Sequence, residues 1–143
     1  MAFLTDRDQD AVRQEFTKLA GPVKLVVFSQ ELEAAELCRQ NEALVREVAA
    51  LAPDQVTVEV LNPVIDRERA EGYGVSRVPG IVVEGARDYG IRFLGIPGGY
   101  EFSNLIDAMI VASSGEAAIS AETKTALAGL TSDVDIKVFS TPT

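Results

Sequence analysis

Six consecutive residues, Val23-Lys24-Leu25-Val26-Val27-Phe28, are apolar at every position but one and rich in β-branched side chains. A strand of this kind has no polar face to turn toward water. It belongs in the middle of a sheet with cover on both sides. That single requirement favours a layered α/β arrangement over a sandwich of half-exposed strands, and the flanking segments supply the layers.

Ahead of the strand, residues 5–19 read as an amphipathic helix. Thr5 is placed to cap it, Asp6 and Asp8 suit its positive end, and Val12, Phe16 and Leu19 recur at helical spacing before Gly21-Pro22 stops it. After the strand, residues 29–33 form a polar turn. A second helix starts at Leu32 or Ala34 and runs to Leu51, with Leu37, Cys38, Leu44, Val45, Val48 and Leu51 on or near one face. Residues 56–61 alternate as a strand, and Asn62-Pro63 turns the chain into a short charged helix over 65–72. Strands at 81–83 and 91–94 enclose a hairpin turn containing Gly85. Gly95-Ile96-Pro97-Gly98-Gly99 then breaks the chain before a helix over 100–113.

The order is βαβα followed by ββα. The first half requires parallel strands joined by crossover helices, the second an antiparallel hairpin under one helix. This order predicts a thioredoxin-like α/β sandwich of three layers, with a central mixed sheet and an extra N-terminal helix, over residues 1–115. Beyond a short linker, Ser120 caps another helix to Leu130, and residues 134–139 read as a strand. Ile136-Lys137-Val138-Phe139-Ser140 echoes Val23 to Ser29, lysine included. Residues 116–143 therefore read as the helix and first strand of a truncated second unit, a C-terminal helix–strand extension of the first.

The residue inventory removes most chemistries. The chain has no histidine and one cysteine, Cys38. Ser-His-Asp and Cys-His catalysis are excluded, as are a histidine-based metal site, a cysteine-rich zinc site and an internal disulfide. No cofactor or metal is expected. The net charge of −9 is spread along the chain and argues against nucleic acid. No apolar run is long enough to span a membrane. The N-terminus turns acidic after four residues and does not read as a signal peptide, so a cytoplasmic location is expected.

Gly90-Ile91-Arg92-Phe93-Leu94-Gly95-Ile96-Pro97-Gly98-Gly99-Tyr100-Glu101-Phe102, together with the stretch from Thr123-Lys124 to Thr143, resembles the glutaredoxin-like protein disulfide oxidoreductases, which carry two thioredoxin-like units in tandem. The N-terminal unit of the bacterial alkyl hydroperoxide reductase flavoprotein is a looser relative. The resemblance implies a Cys-x-x-Cys at the opening of the helix after strand one. Here that stretch reads Ala35-Glu36-Leu37-Cys38, so the position of the attacking thiolate is an alanine and only the second cysteine remains. It also implies a cis proline at Val78-Pro79, facing that turn and flanking a substrate groove. In the family a Cys-Pro-Tyr-Cys follows a threonine like Thr143, so exchange chemistry is expected in the second unit.

Three readings of the site follow. Disulfide exchange needs an exposed thiolate and a resolving thiol, and Ala35 supplies neither. Cys38 lies a turn inside the helix, with Glu31, Glu33 and Glu36 crowding the same turn, and reads first as a buried apolar side chain. The unit then serves a structural or partner-docking role in cell redox homeostasis. The alternatives are a monothiol enzyme using Cys38, or a peptide-binding module at the Val78-Pro79 groove. The expected partner is another protein or the second thioredoxin-like unit, with homodimerisation through the unpaired strand 134–139 as a further expectation. The Gly95 to Gly99 turn lacks the lysine and spacing of a phosphate loop and reads as a backbone turn.

Overall fold

The structure, a computed structural model, describes residues 2–141. Its elements run α1 (Asp6–Phe16), β1 (Val23–Phe28), α2 (Ala35–Ala49), β2 (Val56–Leu61), α3 (Arg67–Tyr73), β3 (Gly80–Glu84), β4 (Asp88–Leu94), α4 (Tyr100–Ser114) and α5 (Ala121–Ala128). The sheet has the order β2-β1-β3-β4, with β1 parallel to β2 and antiparallel to β3, and β3 antiparallel to β4. This is the thioredoxin-like fold, extra N-terminal helix included.

The apolar run that demanded two-sided cover receives it. Alternate residues of β1 divide between two clusters. Val23, Leu25 and Val27 join Ile81 and Val83 of β3 in the main core, with Leu44, Val45 and Val48 of α2, Leu105 and Met109 of α4, and Val12 and Phe16 of α1. Val26 and Phe28 face the other way, with Val82, Leu61, Ala70 and Val75 beneath α3. Fully burying side chains of this size stabilises the fold by about 1.5–3 kcal/mol each, which makes β1 the axis of the molecule. Lys24, its one polar position, ends in an ion pair with Glu59 of β2.

Local chemistry sets the element ends. Thr5 and Asp8 close a reciprocal capping box at the start of α1. Gly85 in the β3–β4 turn packs so closely on the backbone of Ala112 in α4 that a β-carbon has no room there.

Three expectations need correction. The strand foreseen over 134–139 does not form: these residues pair with no strand, and Ile136, Val138 and Phe139 are 80%, 85% and 91% exposed. A strand's backbone groups need a neighbour, and among the described residues the sheet ends at β2 and β4. The second helix begins at Ala35, leaving Leu32 in the preceding loop at 96% exposure. Leu37, placed on the buried face, is instead 49% exposed. The inward positions of α2 are Cys38, Asn41, Leu44, Val45, Val48 and Ala49, so the face is rotated one residue from the leucine.

Candidate functional site

Register places the candidate residues at one end of the sheet. Gly80, first residue of β3, pairs with Phe28, last residue of β1. Val78 and Pro79 therefore arrive beside the point where β1 leaves the sheet and residues 29–34 lead into α2. The Val78–Pro79 peptide is cis, as the resemblance implied. Pro79 is buried and Val78 half-buried. The Pro79 carbonyl accepts from the N–H of Gly95, at 2.9 Å, and so ties the glycine-rich turn to the same end. Among the described residues, neither backbone polar group of Val78 meets a backbone partner.

The α2 end is built differently from a dithiol site. Ala34 occupies the N-cap in a left-handed conformation (φ 50°, ψ 35°) and offers no side-chain cap. Ala35, at the first helical position, is half-buried and ends in a methyl group. The N–H of Cys38 donates to the Ala34 carbonyl at 2.9 Å, the first regular bond of the helix. The Cys38 side chain is 1% exposed, and its sulfur lies 3.8 Å from the Glu33 carbonyl oxygen. A thiol so placed has no path to a substrate disulfide in this conformation.

The crowd of carboxylates also resolves differently from the sequence expectation. Arg39 bridges Glu31 and Glu36, each at 2.9 Å. Its guanidinium, with help from Gln40, holds the Glu36 carboxyl below the usual range. One cation therefore bridges two of the three carboxylates near the turn. Among the described residues no group of three or more histidine, cysteine or acidic side chains is arranged to hold a metal ion.

Two features escaped the sequence reading. Asn41, one turn beyond Cys38, is completely buried with neither side-chain polar atom partnered. Its residue type points to the solvent face, but its spacing from Cys38, Leu44 and Val45 places it on the buried stripe of the helix. An open cleft of about 600 Å³ lies between the loop at Ser29 to Leu32 and the turn at Asn62 to Asp66, beyond the carboxyl ends of the parallel strands β1 and β2. Leu32, Val64 and Ile65 expose apolar surface around it.

Fold and site together define a thioredoxin-fold unit without a Cys-x-x-Cys. Comparison with known proteins agrees on the fold. The chain belongs to the thioredoxin family: it is 32% identical over 84 residues to a probable thioredoxin of Methanothermobacter marburgensis, a match covering 59% of this chain and 92% of that one. It is 33% identical over 75 residues to a thioredoxin of Methanocaldococcus jannaschii, covering 52% and 81%. No protein-family model matches. Among solved structures, an alkylhydroperoxide reductase of Enterococcus faecalis superposes with a TM-score of 0.80 at 23% identity, over 90% of this chain. A protein disulfide oxidoreductase of Aeropyrum pernix does so with 0.77 at 23% identity, over 91%. At that identity the likeness shows the fold. The chain spans 62% and 56% of the lengths of those two proteins. No helix among the described residues is long and apolar enough to cross a membrane.

Proposed function

We propose that residues 1–115 form a redox-degenerate thioredoxin-like unit of a tandem protein disulfide oxidoreductase, acting as a structural and partner-docking element in cytoplasmic redox homeostasis. Thiol–disulfide exchange belongs to a second unit, of which residues 116–143, α5 included, are the opening segment. The observation that carries this reading is the state of the two motif positions: Ala35 has no sulfur, and Cys38 is sealed at 1% exposure. The tandem arrangement draws support from the echo of Val23 to Ser29 in Ile136 to Ser140. Support also comes from superpositions over nine tenths of the chain, more than residues 1–115 alone can supply.

The test is direct. With dithiothreitol as reductant, the 143-residue chain should leave the rate of insulin disulfide reduction at background. Cys38 should label with a neutral thiol reagent far more slowly in buffer than in urea. Catalysed insulin reduction overturns the structural reading. Labelling at the rate of a free thiol in buffer favours the monothiol alternative instead.

A second reading rests on the unpartnered backbone of Val78 beside Pro79. An extended peptide could pair there without any covalent step. Cysteine-free peptides that shift the amide resonances of Val78 and its neighbours support it, and unchanged spectra remove it.

A further inference from the structure

The charges of α1 are sorted by face. The helix carries both signs, yet only its acids Asp8 and Glu15 line the groove that it forms with α4; Arg7 and Arg13 lie outside that lining. α4 has no basic residue and contributes Asp107 to the opposite wall. Carboxylates therefore stand on both walls, with no cation among the residues that line the groove. Lys18 offsets Glu15, and the capping box occupies Asp8. Asp107 has no hydrogen-bond or ion-pair partner among the described residues.

Between the walls the floor is apolar. Val12 and Ile106 are buried there and Phe102 is half-buried. Ala11 and Ser103, both exposed, put short side chains on the facing walls and leave an open volume of about 420 Å³. Asp8, Ala11, Val12 and Glu15 recur at helical spacing and span about 10 Å of α1, room for about two turns of a third helix laid alongside. At Asp8 and Phe102 the groove adjoins a second hollow, lined by Phe3, Leu4 and the Ile96 to Gly99 turn. Walls made of two helices offer no free backbone edge to an extended peptide, so an occupant must satisfy its own backbone, as a helix does.

We propose that this groove docks an amphipathic helix of a partner protein, its apolar stripe set on Val12, Phe102 and Ile106 and its Lys or Arg flanks facing Asp8, Glu15 and Asp107. Helix-in-groove recognition takes this form, and charges at the rim select the partner. A second copy of the chain does not match it. The copy carries a net charge of −9, and α5, which buries no residue, has one acid and one base. The proposal deepens the partner-docking role assigned above and rests on that part of it alone.

The probe is a synthetic peptide with leucines at positions i, i+3, i+4 and i+7 flanked by lysines, beside a twin with glutamates in place of the lysines. Each is titrated into the isotope-labelled chain. The lysine peptide should bind and shift the amide resonances of residues 8–15 and 102–107, and the glutamate twin should not bind. Asp107→Lys should weaken binding about threefold to tenfold. Glu68→Lys, which reverses an exposed acid on α3, should change it little. Ala11→Phe fills the groove and should weaken binding about tenfold or more, with the circular dichroism of the chain intact. Failure of the lysine peptide to bind overturns the proposal. So do shifts scattered over the acidic surface, equal losses from Asp107→Lys and Glu68→Lys, or unaltered binding to Ala11→Phe. A chain that sediments as a dimer, and as a monomer once Ala11→Phe is introduced, assigns the groove to a second copy and also overturns it. Insulin reduction and thiol labelling are indifferent to these outcomes, so the docking reading and the thiol reading can each fail alone.

Discussion

At the opening of α2 an alanine stands in a backbone conformation that suits glycine. Ala34, at φ 50°, is exposed and lends no side chain to the orphan N–H groups of the helix. A left-handed L-residue costs on the order of 1–2 kcal/mol, and nothing at this position recovers it through packing. Ala34→Gly should therefore raise stability in urea by about 0.5–1 kcal/mol, after allowance for the greater freedom of glycine in the unfolded chain. Unchanged or lower stability would show that the loop holds Ala34 there without strain. Residue identity made part of this site legible: with one cysteine in the chain, the lack of a Cys-x-x-Cys can be read directly. The burial of Cys38 could be argued from its helical position. That of Asn41 follows from the same spacing, three residues from Cys38 and from Leu44, and only its residue type argues the other way.

The helices differ in what holds them. α1 combines a capping box with tertiary anchorage: Thr5 Oγ1 accepts from the Asp8 N–H, Asp8 accepts from the Thr5 N–H, and Val12 and Phe16 are buried. Glu47 of α2 accepts from the N–H groups of Phe3 and Leu4 and ties the approach to α1 onto its neighbour. Thr5→Ala should cost about 1 kcal/mol in thermal or urea unfolding, without change in the far-ultraviolet circular dichroism of the folded protein. α5 also begins with a side-chain cap, from Ser120 to the Thr123 N–H, yet buries no residue. Its capping signal could be read from the chain as plainly as that of α1. The difference lies in burial, which most helical stability depends on. The segment after α5 follows the same rule: its strand-like pattern is legible, but pairing needs a second backbone alongside.

Across the whole molecule, one ion cluster joins three elements. Lys24 of β1 and Arg69 of α3 both pair with Glu59 of β2. Hydrogen bonds from Arg69 first, then from Lys24, hold the Glu59 carboxyl down to about 2. A carboxyl depressed by folding contributes stability above its unfolded value, near 4.5, and loses it as pH falls through the folded value. The Glu59 contribution is therefore present at neutral pH and fades between about 4.5 and 2. Asp88, paired with Arg92, is displaced in the same direction. Glu59→Gln should flatten that acid limb in urea titrations at stepped pH. Its cost at neutral pH should be about 1 kcal/mol or less, since all three groups keep contact with water. An acid limb identical to that of the wild type would mean that the cluster contributes nothing to folding.

The order of strands and helices from α1 to α4, the two-sided burial of β1 and the lack of a Cys-x-x-Cys follow from the chain alone. Each rests on local pattern or inventory: apolar periodicity, capping residues, and the presence of a single cysteine. The rotation of α2 that exposed Leu37 was decided by tertiary structure, as was the meeting of Pro79 with the end of β1. So was the failure of residues 134–139 to join the sheet. These depend on which surfaces lie against each other, and burial and strand pairing are properties of two segments at once, which no single stretch of sequence contains.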